Sequence, residues 1–411
     1  MKKAVFIVLA VTLLAFGMAT SAMAIDGLTR ANAVVVNPGG LGDSLIYGYY
    51  NVRGNLNLFN IVNTTSAYGE KVRVVFRAGS DSEEVLDFSV CLSQGDVWTA
   101  YLVDTGTTAA ICPFDTDTIT APTIPAGCQT FKIPTGSSLK ADDLREGYFE
   151  VLGLSTIPGY DKNTTALNII KTAADCASWH SVSNPSAIAA QVDNVLMGNN
   201  TIIDMTSLAT YSYNATAMGY TSEAPLPDPG PGSELDVTQL LGNSCPATEI
   251  ALSKSSVISP YDIMSGLGGE TSLIVTFPTR RACYDVLGTI FNCTKVTSGH
   301  CVTYDTAVTT AVWDDTEKVQ NVLDFSPAGG NTLPNEVNVL NIGGSNVWNS
   351  TLAQSFSVSI GTGLGWVDVN LTSGAAPVGL PAITYTTQSF AGGAASYMVP
   401  TAYHSMFTPL D

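Results

Sequence analysis

Residues 71–103, KVRVVFRAGSDSEEVLDFSVCLSQGDVWTAYLV, constrain the fold more than any other stretch. Val72, Val74 and Phe76 alternate with Arg73, Val75 and Arg77. Leu86, Phe88, Val90 and Leu92 alternate with Asp87, Ser89 and Cys91. A period of two places one set on a core face and the other on the opposite face. Ala78–Glu84 and Ser93–Asp96 supply the Gly, Ser and Asp that suit tight turns. The stretch predicts an antiparallel meander of three strands on which the core sheet is built. Parallel strands, covered on both faces, read as continuous apolar runs, so alternation favours antiparallel packing.

The same signal recurs on either side. Ala33–Val36, Leu45–Tyr50, Leu56–Val62 and Tyr148–Leu152 read as strands, as do the runs carrying Leu273/Val275/Phe277, Phe356/Val358/Ile360 and Val367/Val369/Leu371. The middle of the chain reads as its helical part. Asn184 caps and Pro185 begins a helix with Ile188, Val192, Val195 and Leu196 on one face. Thr165–Cys176 is a weaker helix, and Asp236–Leu241 and Ser259–Leu267 are short helical turns, the second capped by Ser259 with Pro260 at its first position. Asn200–Thr206 is a strand between them. APLPDPGPG, residues 224–232, is either a domain boundary or a surface loop. The fold class expected is mainly β, an antiparallel β-sandwich with a few short helices in the middle of the chain.

Residues 1–24 read as a secretory signal peptide: Lys2 and Lys3, the apolar run Ala4–Phe16, and the A-x-A site Ala22-Met23-Ala24. The apolar run is shorter than the ~20 residues of a spanning helix, and no transmembrane segment is expected after cleavage. Residues 25–411 are then the mature unit. Of the 17 basic residues two lie in the leader, so 15 face 35 acidic residues, a net charge near −20 that repels nucleic acid and anionic membranes. Eight cysteines in an exported chain predict disulfides. Cys293 and Cys301 flank a turn and cross-link a hairpin, and Cys112 and Cys128 close a loop of about 17 residues. Cys91, Cys176, Cys245 and Cys283 cannot be paired from sequence.

Catalytic signatures are sparse. The glycines of NPGGLGD precede a strand rather than a helix, with no Gly-Lys-Ser/Thr, so they form no phosphate cradle. There is no C-x-x-C, G-x-S-x-G or H-E-x-x-H, and only His180, His300 and His404 are available. His300 and His404 read as surface residues. Asp115 and Asp117 lack the Gly turn and closing Glu of a calcium loop. Glu83-Glu84 and Asp314-Asp315 read as solvent-facing turns. Neither a cofactor nor a metal is expected. Tyr47, Tyr49 and Tyr50 either stack on sugars or divide between core and edge. Arg280 and Arg281, the densest basic spot of the mature chain, either pair with nearby acids or contact an anionic glycan.

NPGGLGDSLIYGYYNVRG, VRVVFRAG with VLDFSVCLSQGDVWTA, VTFPTRR and NEVNVLNIGGSNVW resemble a group of exported bacterial cell-surface proteins of uncharacterised function. The blocks span most of the mature chain, which implies one extended unit, and the resemblance implies no catalytic residues. The expected function is that of a secreted structural or surface-assembly protein, at the cell surface, outside the cell or in the periplasm. The alternative is a carbohydrate-binding or adhesive module, with surface glycans as partners. An enzyme is not expected, glycan hydrolysis being the least remote activity. If the protein polymerises, residues 25–37 are the expected donor for strand addition to a neighbour, unless that segment pairs within its own sheet. Alternating strands also suit a membrane β-barrel, but the central helices and disulfides oppose it.

Overall fold

The computed structural model describes residues 34–404 apart from 125–126, 184–193, 221–226, 240–244, 284–290, 292, 298–299, 305, 322–324, 327–330, 344–345, 357, 359–361 and 373–378. The leader, residues 25–33, most of the helix expected from Asn184 and the start of the 224–232 stretch lie outside the described residues.

The first half is a sandwich of two antiparallel sheets. Sheet one runs, in spatial order, Val34–Val36, Thr216–Tyr220, Ser44–Asn51, Glu146–Pro158, Tyr68–Ala78, Glu84–Leu92 and Ile119–Ala121. Sheet two runs Thr210–Asn214, Leu196–Asp204, Asn55–Asn63, Val97–Asp104, Ala109–Pro113 and Gln129–Thr130. The alternation works as expected on the inner faces. Phe76, Phe88 and Phe149 of sheet one meet Phe59 and Trp98 of sheet two, with ring centroids 4.8–6.1 Å apart where the sheets touch. Such offset and edge-on aromatic contacts add to the area they bury.

The expected three-strand meander is corrected. Tyr68–Ala78 and Glu84–Leu92 form a hairpin, but Val97–Asp104 pairs with Asn55–Asn63 in the other sheet. Asp96 makes the crossing: its carboxylate accepts from Ser93 N–H at 3.0 Å and from the Ser93 hydroxyl at 3.3 Å, which turns the chain over the core. Alternation reveals which face is buried, not which strand lies alongside.

The second half is a second pair of sheets. Sheet three runs Val319–Asn321, Thr309–Asp314, Leu364–Asn370, Ser256–Asp262 and Ala402–His404. Sheet four runs Ala353–Phe356, Val337–Ile342, Glu270–Thr276, Ile383–Phe390 and Ala395–Pro400, with Ala353–Phe356 parallel to its neighbour. Leu273, Val275, Leu340 and Ile342 of sheet four pack with Val257, Val312, Val367 and Val369 of sheet three. The opposite face of sheet four, with Ile274, Val337, Val339, Ile383 and Tyr385, joins the core of the first sandwich. Gly48 permits that approach, since a Cβ there would lie 2.8 Å from Ile383 Cγ2 and 2.9 Å from Tyr385 Cε2.

The short helices of the described residues differ in place from those expected. Helices of the described residues are Ala173–Ser178, Cys245–Leu252 and single 3-10 turns. The first matches only the end of the expected Thr165–Cys176 helix, where Thr172 and Asp175 cap one another. Leu196 opens a strand rather than closing a helix, while the described part of Asp236–Leu241 is a turn that enters 3-10 geometry at Gln239. Ser259 and Pro260 lie inside the strand Ser256–Asp262, with helical geometry confined to Ser265–Leu267. Ala402–His404 pairs only with Ser256–Ile258, so the missing N–H of Pro260 falls on an unpaired edge.

All eight cysteines are bonded: Cys91–Cys176, Cys112–Cys128, Cys245–Cys283 and Cys293–Cys301. Thiol labelling of denatured, unreduced protein is therefore expected to find nothing, and two labelled cysteines would refute the pairing. Reducing Cys91–Cys176, which closes a span of 85 residues, alone removes about 4–5 kcal/mol on the chain-entropy model.

Val34–Val36 is taken up by the chain's own sheet, paired with Met218–Tyr220. This is the own-sheet arrangement, not the donor arrangement, for those three residues.

Candidate functional site

The outer face of sheet one is not a solvent face. Lys71, Arg73 and Arg77, placed there by the alternation, are buried beneath segments 177–180 and 228–237. Lys71 Nζ lies 2.7 Å from Asp228 and donates to the Trp179 carbonyl at 2.7 Å. The Arg73 guanidinium pairs with Asp87 and donates to the Gly230 carbonyl at 2.7 Å. Arg77 meets Glu150 at 2.9 Å and the Leu235 carbonyl at 2.7 Å. Burial by itself pushes the Asp228 carboxyl up, but Lys71 and Arg73 hold it below the usual carboxylate range. Burial dominates at Glu150, which is pushed up to about 7 against the pull of Arg77.

A cleft of about 780 Å³ opens at the end of this network, beside Glu84–Phe88. Ser89–Cys91 pair with Ile119–Ala121, and Lys132 N–H donates to the Val85 carbonyl at 3.0 Å, so the cleft sits where the chain passes between these contacts. Its walls are residues 122–124, 132–137 and 231–234. Its charges are mostly spent on one another. Arg281 meets Glu234 at 3.1 Å and Glu83 at 4.0 Å, and Asp87 accepts from Gly232 N–H at 2.9 Å in addition to Arg73. Burial raises the Glu84 carboxyl, opposed by Arg77 and Arg73. What remains is a mixed polar and apolar groove in which the described residues set no nucleophile against a base. Among the described residues no three His, Cys, Asp or Glu side chains are grouped to hold a metal.

The two arginines singled out by sequence part company. Arg280 is wholly interior and offers no ligand contact, a correction to the glycan alternative. It pairs with Glu336 at 3.2 Å and donates to the Leu333 and Pro334 carbonyls at 3.0 and 2.9 Å. Arg281 reaches the cleft but is held by two carboxylates, which weakens it as a receptor for an anion. Tyr47, Tyr49 and Tyr50 are all fully buried and stack on no external sugar. Asp115 caps its own turn, accepting from Asp117 N–H at 2.8 Å and the Thr118 hydroxyl at 2.7 Å. Asp314 is corrected from solvent-facing to buried, accepting from Thr316 and Lys318 N–H at 2.9 Å each. Glu83 and Glu84 are half-buried in the cleft wall rather than solvent-facing. His180 is buried and His404 exposed on an edge strand, while His300 lies in the Cys293–Cys301 hairpin.

One surface feature escaped the sequence reading. Trp313 and Trp366 face each other across neighbouring strands on the outer side of sheet three, centroids 3.8 Å apart and planes within 6°. The signal was present: Trp366 falls in the outward set with Asp368 and Asn370, opposite Val367 and Val369. No known family model, curated protein or solved structure matches the chain.

Proposed function

We propose that the chain is an exported structural or surface-assembly protein of the cell envelope or extracellular matrix, akin by its NPGGLGD, VLDFSVCLSQGDVW and VTFPTRR blocks to exported bacterial surface proteins. The observation that carries this reading is where the charged groups go. Lys71, Arg73, Arg77 and Arg280 are all buried and each clamps segments distant in sequence, instead of converging on a cavity. Four disulfides suit an oxidising compartment. No helix of the described residues is long and apolar enough to cross a membrane. Together these support a stiff extracellular unit rather than a catalyst.

Electron microscopy of protein purified without residues 1–24 tests the reading. Ordered filaments or sheets are the expected result. Dispersed monomers across the whole concentration range would overturn it.

A further inference from the structure

The geometry points to a binding strip for a linear, neutral, β-linked glycan on the outer face of sheet three, centred on Trp313 and Trp366. The inference is independent of how the protein assembles. Strand register sets Val319, Trp313, Trp366 and Pro260 side by side across four neighbouring strands. Val319 is 49% exposed and Trp366 36% exposed, Pro260 is exposed, and the buried neighbours Val312 and Val367 point the other way, into the core. The two indoles lie flat on each other between the valine and the proline, making a continuous apolar ridge.

The ridge is flanked on each side by partly exposed rows that mix apolar residues with one aspartate. On one side the next outward row holds Asp368 between Ala311 and Ile258; on the other, Asp262 lies opposite Leu364. Asp368 Oδ1 is itself buried, without a hydrogen-bond partner among the described residues. Beyond Pro260, whose carbonyl accepts from Gln388 Nε2 at 3.0 Å, the half-exposed Tyr397 donates its hydroxyl to Gln388.

Three arguments select the occupant. A pyranose offers an apolar C–H face bounded by hydroxyls, which suits an apolar strip with one carboxylate on either side, Asp368 and Asp262. Strands lie about 4.8 Å apart, close to the repeat of an extended chain of sugar rings, so successive rings meet successive strands. The bordering carboxylates and the mature chain's net charge near −20 (15 basic against 35 acidic residues) disfavour an anionic polymer. They also disfavour a second copy of the chain, because two-fold pairing would set like rims against each other.

The test uses cellohexaose, xylohexaose and chitohexaose, with polygalacturonate as the anionic control, read by tryptophan fluorescence and calorimetric titration on the full mature chain. At least one neutral hexasaccharide is expected to bind and shift the emission, and polygalacturonate is not. Trp366→Ala is expected to weaken binding at least tenfold, with its melting curve checking the fold. Val319→Asp, a change at an exposed position, should weaken it likewise without touching the core. Failure of all three hexasaccharides to bind would overturn the inference, as would binding unchanged in both variants. A concentration-dependent dimer in sedimentation, abolished by Val319→Asp, would reassign the ridge to contact between copies.

Discussion

Replacing Arg280 by alanine is expected to cost about 3–5 kcal/mol, the scale of removing one partner from a buried ion pair. The guanidinium also lies over the Tyr304 ring, 3.8 Å from its centroid, and donates to the Thr306 hydroxyl at 3.2 Å. Alanine strands Glu336, itself fully buried, without a counter-charge, and leaves the Leu333 and Pro334 carbonyls without their donor. Burial pushes the Glu336 carboxyl up to about 7, while Arg280 pulls it down. Without Arg280 it rises further. A raised folded-state pKa contributes stability that is complete below the unfolded value and lost as pH climbs through the folded one, so the deficit should widen from about pH 5 to about pH 8. Urea midpoints at both pH values measure this. The double variant Arg280→Met/Glu336→Leu should recover most of the loss, because apolar side chains of similar volume replace such pairs well. A wild-type midpoint for Arg280→Ala would show the guanidinium to be solvated.

Phe88→Ala is the second large effect, at roughly 3–5 kcal/mol for a buried aromatic truncated to alanine. The ring is 1% exposed, with the Phe76 and Trp98 centroids 6.5 and 5.6 Å away. Alternation puts its neighbour Asp87 on the opposite face, where truncation is expected to cost far less. The structure keeps the order and narrows the gap: Asp87 neutralises buried Arg73 and accepts from Gly232 N–H. Asp87→Ala should cost about 1–3 kcal/mol, the range for hydrogen bonds to charged groups. It stays below Phe88→Ala because Asp228 remains near Arg73, at 3.5 Å. Denaturant unfolding of both variants checks the order, and equal losses would mean the faces are wrongly assigned.

These two positions show what was legible. Period-two patterning placed Phe76, Phe88 and Val90 in the core, because an inner face is defined by the strand itself. It could not show that the other face was covered, since the cover comes from residues 228–237, some 150 positions downstream. The short Cys112–Cys128 and Cys293–Cys301 loops were readable from spacing. Cys91–Cys176 and Cys245–Cys283 depend on how whole elements pack. Pro260 misled through a local rule: a Ser-Pro pair starts helices well, yet an open strand edge tolerates proline equally. Of the two readings open for Arg280, pairing with an acid matches its contact with Glu336, but a sequence records the charge and not the carbonyls and aromatic rings that enclose it.

Sheet four, with a core on each face, has a temporal consequence. Its strand Ile383–Phe390 belongs to the last tenth of the chain, yet Tyr385 packs on Tyr213 at 4.6 Å and closes over Gly48. During synthesis the first sandwich is complete in sequence by Tyr220, and one of its flanks must wait for about 160 further residues. At roughly 5–20 residues per second, that flank stays uncovered for about 10–30 seconds, long compared with the folding of most small domains. A Tyr-lined surface held open for that time is one that needs shielding from other copies of the chain.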